Sequence, residues 1–563
     1  MQRGKRFGVR GWWRSGAPWV WLTAGAVSVS VLVVAGLILM LAVRGLGHFW
    51  PGDVLKISYR GDGGTETLIG ELTDESTMPL AQYRELTGMN DAPPKDHQIN
   101  RWLIKTGNRD TAAPDFRWLY AHRVLSVTQP HDLVAFERLE WGAAYGDLLG
   151  VHDGAGAAVT GPAAWRALQL AIARAGALRN DLHDIENNKV GAINRVMEAL
   201  RLQRRGLALR RGDIGARAYS VRLADLAARE AEQRGEYAAW NDRIAALRAA
   251  LDKDSITLRI MDGRTISLPV QKLVRAWQPN AMTTFAKARM YLTNVVAFLS
   301  EPPREANTEG GVFPAIFGTV VMVLLMSLIV TPFGVVAAIY LREYARNGIV
   351  VRIVRIAVNN LAGVPSIVYG VFGLGFFVYF LGGNIDQLFF PEALPAPTFG
   401  TPGLMWAAVT LALLTVPVVI VSTEEGLSRI PRAIREGSLA LGATKAETLF
   451  RVVLPLASPS ILTGVILAIA RAAGEVAPLM LVGVVKLAPQ LPVDLTAPFI
   501  HLDRKFMHLG FHIYDVGFQS PNVDASRPIV YATAFLLVLI VIVLNLTAIL
   551  LRGRLERRYR FAE

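Results

Sequence analysis

The 563-residue chain contains no cysteine. Disulfides, thiolate-bound zinc and thiol catalysis are excluded at the outset. It has no GxxxxGK[ST] loop either, and so no Walker cradle for a nucleotide. Its apolar runs carry no nucleophile–base set and no paired carboxylates, which argues against an intramembrane enzyme. What the chain has in quantity is apolar: 52% hydrophobic residues and a mean hydropathy of +0.33. Charged residues still make up 19%, too many for a chain held wholly in lipid, so a substantial soluble portion is expected as well. The formal net charge of +13 could suggest nucleic acid, but much of it sits beside apolar segments. There it orients a membrane protein and meets anionic headgroups.

Residues 1–17 form a basic segment without an acidic residue. The run 18–43 is long enough to span a bilayer, with Trp19 and Trp21 as interface anchors. It ends in Val43-Arg44-Gly45 and not at a small-residue cleavage site, so it reads as a retained anchor. Residues 44–311 offer no further span. Five more are expected at Phe313 to Tyr340, Ile356 to Leu381, Gly403 to Ser422, Pro459 to Leu481 and Pro528 to Leu551. The loop LREYARNGIVVRIVR is basic, GGNIDQLFFPEALPAPTFGTP has no Lys or Arg, the loop 423–458 is basic again, and so is the tail 552–563. This alternation gives six membrane-spanning helices, both termini in the cytoplasm and residues 44–311 on the outer side.

The insertion begins and ends with alternating stretches that turn at Gly61-Asp62-Gly63 and at Asp262-Gly263, two β-hairpins expected in one discontinuous β lobe. Between them, 161–251 is rich in Ala, Leu, Arg and Glu. Tyr237, Trp240, Ile244, Leu247 and Leu251 follow a three-four spacing, and Ile193, Leu200, Leu207, Ile214 and Val221 recur every seven residues. Gly206, Gly212 and Gly215 favour a bend, so the middle is expected to be an antiparallel helical hairpin. The expected fold is an all-α polytopic membrane protein with an α+β insertion between its first and second helices. The membrane core runs over 312–551.

The most informative stretch is Glu436 to Leu479. Glu436-Gly437-Ser438 is followed by three residues and Gly442, then by nine residues to Val452 and by Leu454-Pro455. This spacing resembles the cytoplasmic E-A-A…G…I-x-L-P loop of ABC importer permeases, with Gly437 and Ser438 in place of the two alanines. Asn359 to Leu374 (NNLAGVPSIVYGVFGL) and Ala470 to Leu481 (ARAAGEVAPLML) narrow the likeness. Together with the basic-flanked last helix they resemble the A-type permease subunit of the bacterial phosphate-specific ABC importer, in an enlarged form. The resemblance covers the chain from about Gly311 onward. It implies a type I importer permease fold. It also implies a related C-type permease, a dimer of ATPase subunits and a periplasmic phosphate-binding protein as partners. ATP and magnesium would be bound by the ATPase and no cofactor by this chain, a non-catalytic subunit of the cell inner membrane.

On this reading Glu436, Gly437, Ser438, Gly442, Ala443, Thr444, Leu454 and Pro455 couple the chain to the ATPase. Arg471 and Glu475, four apart, are expected to pair and to line the path of an anion. For Asn359 and Asn360, inside the third helix, with Ser366 and Tyr369 beyond Pro365, two readings stand level: lining that path, or hydrogen-bonding between helices. His508 and His512 have the spacing of a zinc pair, but no base accompanies them, and a solvated re-entrant or packing loop is expected instead. The loop 436–455 does not by itself name a solute. A permease for another solute, or a membrane-anchored sensor or scaffold, are the rival readings.

Overall fold

The computed structural model describes residues 13–560 except 14, 62, 89–97, 112–113, 155–157, 305–306, 346–347, 498 and 521–522. Most of the basic segment 1–17 and the turn residue Asp62 therefore lie outside the described residues. Among those described, six helices are long and apolar enough to cross a membrane: Pro18–Gly47, Phe313–Tyr344, Ser366–Phe389, Leu404–Arg429, Lys445–Gly474 and Ser526–Arg554. The fourth is the hub. Its Leu404, Ala407, Ala408, Leu411, Leu414 and Val419 are buried against Met322, Val323, Met326 and Val330 of the second and Ala468, Ala472 and Ala473 of the fifth. Helices in lipid associate chiefly through close packing of small residues. A Cβ added at Gly334 would come within 2.6 Å of Val419, and one at Gly464 within 2.8 Å of Ser422.

Two spans differ from the sequence expectation. The third begins at Ser366, not Ile356. Residues Ile349–Leu361 form a separate helix that breaks before Pro365, whose extended backbone (φ −55°, ψ 135°) and missing N–H stop continuation. Asn359 and Asn360 are thus on this preceding helix, exposed, and not inside the third span. The fifth span begins at Lys445 and ends at Gly474, where Pro459 to Leu481 was expected. Pro459 is absorbed within the helix. The Pro455 carbonyl, which a proline at 459 cannot engage, instead accepts from the Ser458 hydroxyl at 2.8 Å.

Among the described residues the insertion holds two large sheets, one to each of the expected hairpins, and a two-stranded pair of Pro303–Arg304 with Glu309–Gly310. Strands β1 (Val54–Gly61) and β2 (Gly64–Pro79) pair antiparallel with Gly61 opposite Gly64. They lie in a five-stranded sheet with β3 (Gln98–Lys105), β4 (Phe116–Tyr120) and β5 (Val124–Thr128), ordered β4-β3-β2-β1-β5. The second sheet is ordered β10-β9-β7-β6-β11, with β8 (Ala158–Thr160) beside β7. It is built from β6 (Leu133–Arg138), β7 (Ala144–His152), β9 (Ser255–Arg259), β10 (Thr265–Pro269) and β11 (Leu273–Trp277). The sheets meet through Val54 and Ile69 of the first and Leu133, Ala135 and Tyr145 of the second.

From the second sheet rises the helical arm: Pro162–Asp184, continuing through a π-helical turn into Gly191–Leu209, then Ala216–Leu251 antiparallel to it. Ile193, Leu200, Leu207, Ile244, Leu247 and Leu251 are buried as the spacing predicts. Val221 and Tyr237 are exposed; Val221 lies beyond the turn that ends Gly191–Leu209, on the next helix, so the seven-residue spacing does not carry over to it. At its base, helix Thr284–Ser300 leads from the second sheet towards the second span. Its Phe298 is buried with Phe49, Val312, Ala315, Met507, Leu509, Ala532 and Leu536 at one end of the bundle.

Candidate functional site

The fourth span ends at Arg429, and Pro431 turns the chain into the short helix Arg432–Ala440. None of that helix's residues is buried. It stops at Gly442, whose φ of +89° is a left-handed conformation that favours glycine. The Gly442 N–H bonds to the Leu439 carbonyl (3.0 Å) and the Ala443 N–H to that of Ser438 (3.3 Å). Thr444 then caps the next helix, Lys445–Thr448. Its hydroxyl accepts from the Glu447 N–H (3.2 Å), while the Glu447 carboxylate accepts from the Thr444 N–H (2.9 Å). Ser438 and Thr448 hydroxyls, 2.9 Å apart, join the two helices of this foot. Through a π-helical turn, Leu449–Val453, the second helix runs without a break into Leu454–Gly474, with Pro455 in its first turn.

The foot is held to the bundle by groups that sequence spacing did not flag. The Arg435 guanidinium donates to the Leu427 carbonyl (2.7 Å), the Ile430 carbonyl (2.8 Å) and the Glu343 carboxylate (2.9 Å). It thereby closes the end of the fourth span and reaches the end of the second. Lys445 donates to the Glu343 carbonyl (2.7 Å) and stands 4.3 Å from the centre of the Tyr344 ring. Beneath, Ile339, Leu427, Ile430, Leu449, Val453 and Ala457 form an apolar base, with Leu454 packed against it. The outward side is bare: Glu436, Gly437, Ala440, Gly442 and Thr444 are exposed and Leu441 is 90% exposed. The foot thus combines a base fixed to two spans with an exposed outer surface. The only sequence sign of the Arg435–Glu343 bracket was a charge on each of two basic loops, and many pairings would have satisfied that.

The second group of residues lies where the third and fifth spans meet. The fifth helix ends at Gly474, so Glu475 is just past it, in extended conformation (φ −79°, ψ 129°). Arg471 Nε and Glu475 Oε1 are 3.6 Å apart, an ion pair too long for a hydrogen bond, which leaves the guanidinium fork uncommitted to the carboxylate. Tyr369 is buried beside them, within electrostatic reach of Arg471, and its hydroxyl donates to the Leu361 carbonyl at 2.6 Å. Gly370 lets the third span touch Pro478: an added Cβ would stand 2.7 Å from its Cα. The VYG and APL stretches are therefore in direct contact. Ser366 is half-buried at the start of the third span, and Asn359 and Asn360 are on the other side of the break.

His508 and His512 are buried, not solvated. Helix Leu509–Phe518 packs against the last span, and the Leu509 N–H donates to the Thr319 hydroxyl of the second span (2.9 Å). Burial pushes both imidazoles down to about 4. His508 works as a cap, its Nδ1 accepting from the Gly510 N–H at 3.1 Å. Among the described residues no group of three or more His, Asp or Glu side chains is arranged to hold a metal ion. Nearby, Asp494 accepts from Arg504 (2.6 Å) and pairs with His501 (3.0 Å). Its partial burial raises the carboxyl, but bonds from Thr496, Arg504 and His501 outweigh this and hold it far below the usual carboxylate range.

Residues 330–561 match the family described as "Binding-protein-dependent transport system inner membrane component". Similar curated proteins include the phosphate transport system permease protein PstA of Mycobacterium leprae (strain TN), 40% identical over 175 residues, or 31% of this chain and 52% of that protein. The PstA of Yersinia pestis is 37% identical over 206 residues, covering 36% and 62%. The probable ABC transporter permease protein YqgH of Bacillus subtilis (strain 168) is 32% identical over 194 residues, covering 34% and 59%. The chain spans about half the length of the first curated relatives it matches. Among solved structures, an inward-facing MetNI methionine ABC transporter is similar with a TM-score of 0.32 at 19% identity, over 43% of this chain and 94% of that one.

Proposed function

We propose that the chain is a membrane-spanning permease subunit of an ATP-driven importer that carries inorganic phosphate across the bacterial inner membrane. The observation that carries this reading is the foot: an exposed surface around Gly442, rigidly bracketed to the second and fourth spans and continuous with the fifth. In this reading both termini and the foot face the cytoplasm, and residues 44–311 face the periplasm. The fold is that of a type I importer permease. Its partners are a C-type permease, an ATPase dimer that binds ATP and magnesium, and a periplasmic phosphate-binding protein.

The mechanism follows from the connections. When ATP closes the ATPase dimer, the surface formed by Glu436, Gly437, Ser438, Gly442, Ala443 and Thr444 is carried with it. No loop intervenes between Thr444 and Gly474, so the movement passes through Leu454-Pro455 to the fifth span with little slack. The Arg435 bracket passes it to the second and fourth spans. Arg471 and Glu475, at the far end of that lever, reorient with it. A guanidinium matches the oxygens of a phosphate anion, and the neighbouring carboxylate weakens the hold enough for release. Tyr369 and Ser366 border the same place, and Asn359 and Asn360 stand at its approach.

The test is purification of the chain from its native membrane with phosphate uptake measured in a deletion strain. An ATPase and a second permease should accompany it, and uptake should fall on deletion and return with the gene. Recovery of neither partner, as expected of a sensor, would contradict the reading. Intact phosphate uptake would reassign the solute.

A further inference from the structure

Helix Thr284–Ser300 is apolar on two sides: Phe298 is buried inward with Tyr291 and Val295 packed beside it, and a second apolar stripe faces away from the fold. The inner face also anchors the helix through polar groups: Asn294 donates to the Phe49 carbonyl (3.0 Å) and accepts from Arg275 (3.1 Å), and Lys287 pairs with Asp53. Its outer face carries Phe285 (83% exposed), Leu292 (63%), Val296 (61%) and Leu299 (38%), spaced by seven, four and three residues along one stripe. A helix apolar on the side away from its own fold needs a second cover.

What covers it is fixed by its depth. The Phe298 carbonyl accepts from the Val312 N–H (2.8 Å), and the Glu301 carbonyl from the Phe313 N–H (3.2 Å). The end of this helix is therefore level with the first turn of the second span. Phe298 packs among Phe49, Ala315, Ala532 and Leu536, residues at the ends of three spans. The half-exposed Trp50 stands beside Tyr291 with ring centres 6.1 Å apart, an aromatic pair of the kind that collects at headgroup level. Exposed Arg289, four residues after Phe285 and three before Leu292, lies within the stripe, and its long stem lets the guanidinium reach lipid phosphates.

We infer that Thr284–Ser300 is a membrane-embedded interfacial helix, with its Phe285–Leu299 stripe sunk into the lipid leaflet on the side of the insertion. It ties the two sheets to the bilayer as well as to the bundle. This placement depends neither on the identity of the solute nor on the direction in which the chain is oriented.

The absence of cysteine makes the test direct. Leu292→Cys and Val296→Cys are spin-labelled in the assembled complex, in vesicles of phosphatidylethanolamine and phosphatidylglycerol. Collision with oxygen, which partitions into lipid, is compared with collision with a water-soluble nickel chelate. Val221→Cys on the arm, 63% exposed, serves as the water reference. The expected oxygen-to-nickel ratio at 292 and 296 is several-fold above that at 221. A ratio equal to that at 221 overturns the inference. Low access to both reagents with an immobilised label also overturns it, because a protein chain and not lipid then covers the stripe. If Leu292→Cys fails to assemble, Phe285→Cys reads the same stripe.

Discussion

Arg435→Met separates the foot from the bundle without touching its exposed face. The arginine makes three charge-assisted contacts at 2.7, 2.8 and 2.9 Å, two of them to carbonyls near the end of the fourth span. Arg435 and Glu343 side chains are only 18% and 16% exposed. Removing one member of a fully buried pair costs about 3–5 kcal/mol, and allowing for this partial exposure leaves about 2–4 kcal/mol. Methionine keeps much of the aliphatic stem, so the loss falls on the bonds and not on packing. Arg435→Lys restores the charge but offers a point donor where three divergent acceptors need a fork, and should recover only part of the loss. The assay pairs limited proteolysis across residues 431–444 with the ratio of phosphate moved to ATP hydrolysed in reconstituted complex. Faster cleavage and a lowered ratio are expected in the order wild type, Arg435→Lys, Arg435→Met. Wild-type proteolysis and coupling in Arg435→Met would refute the bracket's role.

Gly442→Leu should fold, because a Cβ there meets no atom within 4 Å, at a cost of about 1–2 kcal/mol for the left-handed backbone. It should nevertheless uncouple hydrolysis from uptake. Gly442→Ala carries the same strain with less bulk and should uncouple less; equal effects would assign the loss to strain and not to docking. Arg471→Gln should abolish phosphate uptake while the complex still assembles, as read by co-purification, and normal uptake would remove Arg471 from the path. His508 and His512 are held neutral by burial, each with its folded value near 4 against about 6.5 unfolded. Their contribution to stability is complete above 6.5 and is lost as pH falls to about 4, up to about 3 kcal/mol for each. His508→Asn keeps a side-chain acceptor for the Gly510 N–H without titrating. Thermal melts of that variant from pH 7 to pH 4 should decline less than those of wild type.

The parts legible in the sequence are those governed by local rules. Hydropathy located six spans, and glycines at 61 and 263 marked hairpin turns. Failures arose where one residue had two permitted roles. Pro365 ends a helix while Pro459 is absorbed in one, and their sequence neighbourhoods do not say which. Val221 keeps the seven-residue spacing but is exposed, because the turn after Leu209 puts it on a different helix from Ile193, Leu200 and Leu207. The Arg435–Glu343 bracket, the Gly370–Pro478 approach and the His508 cap all depend on distant chain segments meeting. Helix Thr284–Ser300 went unnoticed because its apolar residues are too few for a span, and only the folded chain shows on which side they stand.

The central claim is that force enters through the foot. Thr444→Cys, in a chain otherwise without cysteine, can carry a short photo-crosslinker in native membranes. Cross-linking to an ATP hydrolase, strengthened or weakened by adding ATP, is the result predicted. Contrary evidence would be no adduct with any ATPase, together with labelling of position 444 by a membrane-impermeant reagent added to the periplasmic side.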